Sequence, residues 1–157
     1  MKPLNLLLTL VLILALAFLA FFLVGGTLTP AVSCISARAA EHPVAFSSIR
    51  NVILSDAAPQ VFSTDSTDNP EAYNLVDVNI TLTNRGIFDA EWLNITVNAA
   101  AGDVAVYSLT GEGSDVPARS AASINFKLIT RAAGDVPRSA TIQYYVFGMS
   151  RTIDVEI

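Results

Sequence analysis

The run Leu6–Val24, LLLTLVLILALAFLAFFLV, constrains this chain more than any other feature. Only Thr9 interrupts it, and a threonine hydroxyl can bond back to a carbonyl of its own helix. At 1.5 Å per residue, about nineteen apolar positions as a helix come close to the ~30 Å hydrocarbon core of a bilayer. A domain of this size in water has no use for a helix that is apolar on every side. The run is therefore expected to span a membrane. Lys2 and the amino terminus precede it, which favours a cytoplasmic N-terminus and an extracytoplasmic remainder. The run is longer than an ordinary secretory h-region, and the A-x-A pattern at Ala37-Arg38-Ala39 lies too far beyond it for ordinary cleavage. An uncleaved single-pass signal anchor over residues 1–26, closed by Gly25-Gly26, is the expectation.

Residues 27–43, TLTPAVSCISARAAEHP, are small, polar and Pro-bounded and read as a flexible linker. Residues 44–157 then make one domain of ordinary size. A net charge of −5, with Lys2 and Lys127 as the only lysines, excludes a basic nucleic-acid stripe and polybasic docking onto anionic lipid. Cys34 is the single cysteine, so no intrachain disulfide supports the domain. The residues before it, Ala31-Val32-Ser33, lack the leucine usual before a lipidated cysteine, and Cys34 reads as an inert thiol.

Beyond the linker the reading is strand after strand. Val44–Leu54 reads as a first strand with a bulge at Ser47-Ser48, and 55–73 as a long polar loop. Val76, Val78, Ile80 and Leu82 alternate with Asp77, Asn79, Thr81 and Thr83, and Asn84-Arg85-Gly86 supplies a turn. Leu93, Ile95 and Val97 alternate with Asn94, Thr96 and Asn98. Val104–Leu109, 122–130 around Ile124, Phe126 and Leu128, Thr141–Phe147 and the stretch ending Ile153, Val155, Ile157 complete the series. The aromatic and β-branched residues of 141–147 mark a central strand. About seven short strands, with no helix-period segment outside the anchor, predict an all-β, immunoglobulin-like or fibronectin-type antiparallel β-sandwich preceded by one transmembrane helix.

Catalytic chemistry finds little support. His42 is the only histidine and sits in the linker, no G-x-S-x-G elbow or H-E-x-x-H pair is present, and no Gly-rich phosphate loop follows a strand. The chain is expected not to be an enzyme and to need no cofactor or metal. Asp65, Asp68 and Glu71 share a loop but lack the spacing and glycine of a calcium loop. Asn79-Ile80-Thr81 and Asn94-Ile95-Thr96 are sequons on the polar phase of their strands, so Asn79 and Asn94 are candidate glycosylation sites. Trp92 falls with the outward set of its strand and is a candidate binding anchor. Tyr144, Tyr145 and Phe147 read as core and edge packing.

The stretch VDVNITLTNRG at Val76–Gly86, then Gly111-Glu112-Gly113 and Val116-Pro117-Ala118-Arg119-Ser120 leading into INFKL, resembles the late-embryogenesis-abundant group-two domain, also called the water-stress and hypersensitive-response domain. The resemblance spans Val44 to Ile157. Asn84-Arg85-Gly86 stands where that family has an Asn-Pro-Asn-like turn. The same residues are similar to adhesion-type sandwich domains of microbial surface proteins. Either likeness implies a β-sandwich and no catalytic residues. The expected function is a membrane-anchored extracytoplasmic sandwich with a structural or interaction role in the cell envelope. Its expected partners are membrane lipid at residues 6–24 and envelope proteins or further copies of the chain. Desiccation or osmotic protection, as the first likeness implies, and a carbohydrate or small-ligand module using Trp92 are the alternatives.

Overall fold

The computed structural model describes residues 3–24, 27–64, 67–131 and 136–157, with the side chains of residue 4 and of 21–24 outside that description. The Gly25-Gly26 cap and Asp65 therefore lie outside the described residues. Helix α1 runs Pro3–Val24. Thr9 does bond back within it, its Oγ1 donating to the Asn5 carbonyl at 2.8 Å. Its described leucines and Phe18 are all more than half exposed. Among the described residues no helix is long and apolar enough to cross a membrane.

Two antiparallel sheets follow. The strands are β1 (Leu28–Arg38), β2 (Gln60–Val61), β3 (Asn74–Asn84), β4 (Glu91–Asn98), β5 (Asp103–Thr110), β6 (Ala121–Thr130), β7 (Ser139–Val146) and β8 (Met149–Glu156). The first sheet has the order β1-β3-β6-β5-β2 and the second β4-β7-β8. The period-two segments behave as their alternation demands. Val76, Val78, Ile80, Leu82, Ile124, Phe126 and Leu128 of the first sheet meet Leu93, Ile95, Val97, Ile142 and Tyr144 of the second in one core. β7 is central in its sheet, as its composition predicted.

Two expectations are corrected. Residues 44–54 are not a strand but most of helix α2, Pro43–Leu54. Pro43 takes the first helical turn, where its missing N–H costs nothing. Phe46, Ile49 and Ile53 then fall on one helical face and are buried. They pack on Leu75, Ala105 and Ile129, a cross-strand row on the outer side of the first sheet. The strand-like richness in Val and Ile is thus overridden by a tertiary surface that only a helical face fits.

Nor are residues 27–43 a flexible linker. Leu28–Arg38 pairs with β3 along its whole length, from Leu28 opposite Asn84 to Arg38 opposite Asn74. The β domain begins at Leu28 rather than Val44. Pro30 is accommodated because β1 is an edge strand. The remaining linker residues form a 3₁₀ turn, Ala39–Glu41, and the start of α2.

Only residues 25–27 separate α1 from β1, so they span at most about 14 Å. The end of the sandwich next to α1 therefore holds Leu28, the 85–90 connection, the start of β6 and the β7–β8 hairpin. The Leu28 N–H donates to the Tyr144 hydroxyl at 3.2 Å, which fixes β1 to the second sheet at that end.

Candidate functional site

A sandwich has edges, and the edges decide what it can contact. The outer edge of β4 is closed. Ala90 exchanges backbone bonds with Val116, the Leu93 N–H donates to the Ser114 carbonyl at 3.0 Å, and the Gly113 N–H donates to the Leu93 carbonyl at 2.6 Å. Further along, the Gln60 side chain takes over. Its Nε2 donates to the Ile95 carbonyl at 3.0 Å and its Oε1 accepts from the Val97 N–H at 3.0 Å. The other sheet edges stand differently. β1 is the outermost strand of the first sheet and β8 of the second. Apart from Leu28, even the β1 residues in phase with the core, Pro30, Val32 and Cys34, are exposed.

The closed β4 edge serves a side chain. A bulge between Glu91 and Asn94 leaves Trp92 without a partner on β7. Its φ of 55° lies in the left-handed region. The Trp92 N–H donates to Asp115 Oδ1 at 3.0 Å, and the indole is 71% exposed. The β7–β8 hairpin repeats the pattern. Phe147 and Gly148 form its two-residue turn, with φ of 54° and 68°. Two positive φ values are what a type I′ turn needs, and Asn-Gly fills it best. Phe147 sits there at roughly 1–2 kcal/mol of local strain, the general cost of left-handed backbone in a residue with a Cβ. The ring meets Phe88 edge-on, with centroids 4.1 Å apart.

Trp92, Tyr145, Phe147, Ile87 and Met149 are all exposed, and Phe88 is partly so. Tyr145 pairs with Glu91 and with Ser150, one row from the hairpin. All six occupy the α1 end. Among the described residues outside α1, Trp92, Tyr145 and Phe147 are the only large aromatics that are exposed. A shallow cavity of about 200 Å³ is lined here by Phe88, Asp89, Glu91 and Phe147. The turn beneath is built on Asn84, which is buried. Its Nδ2 donates to the carbonyls of Phe88 and Val116 at 2.8 and 2.9 Å, and its Oδ1 accepts from the Gly86 N–H at 2.9 Å.

No protein-family model and no curated protein matches the chain. A solved structure, the FixG-related protein from Vibrio parahaemolyticus, is similar at a TM-score of 0.35 and 11% identity over 82% of this chain and 92% of that one. A likeness that slight carries no argument about fold or function.

The other sequence candidates are placed apart from one another. Asn79 lies mid-sheet on the outer face of β3 and is half-buried. Its Nδ2 donates to Asn125 Oδ1, and its Oδ1 accepts from Thr81 Oγ1 at 3.2 Å. Asn94 is exposed on the outer face of β4. His42 precedes α2 at the far end, and Asp68 accepts from Arg50 Nη2 at 2.7 Å there. Cys34 is exposed, and partial desolvation by its neighbours pushes its thiol above its ordinary pKa, against the opposing pull of Arg138. Tyr107 is pushed up to about 12, by burial first and by the Asp77 carboxylate second.

Sequence reasoning singled out Trp92 alone from the aromatic end. Ile87 and Phe88 flank the Asn84 turn, and Phe147 stands before a glycine that reads as hairpin chemistry. Those two cues were available in the chain.

Proposed function

We propose that this protein is a single-pass membrane protein that presents an immunoglobulin-like β-sandwich on the extracytoplasmic face, in a structural or interaction role. One observation carries the reading. Helix α1 exposes leucine on every described side, and in water that surface would be lost to aggregation. Counted from the sequence, Leu6–Val24 as a helix measures about 28 Å, which suits a bilayer core. The order β1-β3-β6-β5 against β4-β7-β8 supports the finer class, because constant-type immunoglobulin domains group their strands in this way.

Presentation is the mechanism. The anchor holds the domain at the surface with almost no slack, since three residues replace the longer tether. β1 and β8 supply backbone edges to which an extended segment of an envelope partner, or of another copy, can add a strand. β4 cannot serve, because loop 113–116 and Gln60 already occupy its edge.

The test is alkaline carbonate extraction of cells expressing the full chain with a C-terminal tag, followed by protease treatment of intact spheroplasts. The expected result is a membrane-retained chain whose tag is removed from outside. Release into the soluble fraction, or a tag protected until lysis, would overturn the proposal.

A further inference from the structure

We infer that the aromatic end of the sandwich docks into the lipid–water interface of the bilayer that α1 spans. Trp92, Phe147, Tyr145, Ile87 and Met149 would lie among the headgroups. The inference rests on the membrane reading above and adds the orientation of the head.

Three observations carry it. The first is reach: residues 25–27 hold Leu28 within about 14 Å of the end of α1. Leu28 pairs with Asn84, whose side chain bonds the Phe88 carbonyl, so the aromatic connection is tied directly to the point of membrane exit. The second is asymmetry. The exposed aromatics of the head gather at this end, whereas Phe46 and Tyr73 near the far end are buried beside each other under α2. Trp and Tyr are the residues that settle at a membrane interface, with an apolar ring and a polar handle. The third is geometry at each tip. Trp92 and Phe147 reach outward through left-handed backbone that their side chains disfavour, with Phe147 keeping only its ring edge against Phe88.

Charge names the kind of lipid. Arg85, Arg119 and Arg151 at this end stand against Asp89, Glu91, Glu112 and Asp115, so anionic headgroups offer no gain. Zwitterionic phosphatidylcholine is the fitting surface. A partner protein covering the same rings is the competing occupant.

Trp92 is the chain's only tryptophan, so its fluorescence reports the site without ambiguity. The full chain is reconstituted into phosphatidylcholine vesicles, floated on a density gradient, and compared with vesicles of brominated phosphatidylcholine. Docking predicts blue-shifted emission, protection from aqueous iodide, and loss of most of the signal to lipid brominated near the headgroup. Added phosphatidylglycerol should not deepen that loss. Phe147→Asn keeps the reporter and should weaken both quenching by lipid and protection from iodide. If the chain floats but Trp92 stays open to iodide and unquenched by bromolipid, the docking inference falls while the anchor stands. If Trp92 is shielded from iodide yet unquenched by lipid, protein covers it and the inference again falls. A chain that fails to float sinks the anchor reading, and the docking inference with it.

Discussion

The most exacting prediction concerns the Asp103–Arg138 pair, the one ion pair buried among the described residues. Asp103, the first residue of β5, meets Arg138, the residue before β7, with side-chain exposures of 0% and 1%. Arg138 Nε and Nη2 donate to the carboxylate at 2.8–3.1 Å, Nη2 also donates to Thr130 Oγ1 at 3.3 Å, and Nη1 donates to the Val136 carbonyl at 2.8 Å. With no disulfide available, this clasp joins the two sheets at the end away from α1. Arg138→Met would leave the carboxylate in the dry interior with only the Ala100 N–H, at 2.8 Å, still donating to it.

Removing one partner of such a pair costs about 3–5 kcal/mol, whereas replacing both by apolar groups is often neutral or favourable. At roughly 4 °C per kcal/mol for a domain of this size, Arg138→Met should melt about 12–20 °C lower. Asp103→Leu combined with Arg138→Met should recover most of that. Urea titration and thermal melting of the full chain in detergent micelles, followed by the strand signal in circular dichroism, measure both. A loss under about 1 kcal/mol for the single change would refute the reasoning. So would a double variant no better than either single one.

Three further outcomes follow from local geometry. Phe46→Ala should cost about 3–5 kcal/mol in the same urea assay, because the ring is buried between α2 and the first sheet. Val44→Ala on the exposed face of that helix should cost little. Gly111→Ala should cost about 2 kcal/mol or more, since φ is +88° and an added Cβ would meet the Ser123 carbonyl. For Tyr107, whose folded pKa is raised to about 12, the stabilising contribution is complete below the ordinary value of 10.0 and is lost as pH climbs toward 12. Urea midpoints measured through that range should fall in the parent and fall less in Tyr107→Phe.

The inner strands were legible because they live between two solvents. β3, β4, β6 and β7 face the core on one side and water on the other, and that contrast writes period two into the chain. β1 has no such contrast. Beyond Leu28 even its core-phase residues are exposed, so nothing forced alternation on Pro30-Ala31-Val32-Ser33-Cys34, and its strand character comes from pairing with β3. In α2 the i, i+3, i+7 spacing of Phe46, Ile49 and Ile53 was present, but so were β-branched residues. Only the row Leu75, Ala105 and Ile129 decides between them. Trp92 could be read as outward-facing. The bulge that turns it outward depends on Asp115, and the closed β4 edge depends on Gln60, contacts that no local pattern announces.

Phe147 is where fold and function can be pulled apart. A two-residue turn with both φ values positive prefers Asn-Gly, so Phe147→Asn relieves about 1 kcal/mol of strain. The same change gives up the edge-on contact with Phe88, worth about 0.5–1.5 kcal/mol. These nearly cancel, and the urea midpoint should move little in either direction. If the ring were there to hold the hairpin, the variant would instead be destabilised by more than about 2 kcal/mol, beyond the upper end of that contact term. A Phe147→Asn head that folds as well as the parent but leaves the bilayer surface would mean that the strain is tolerated for contact with lipid. Sites that break a local rule are expected where a protein meets its surroundings. Among the described residues, five non-glycine residues take left-handed φ, and three of them, Trp92, Arg119 and Phe147, sit at this one end of the sandwich.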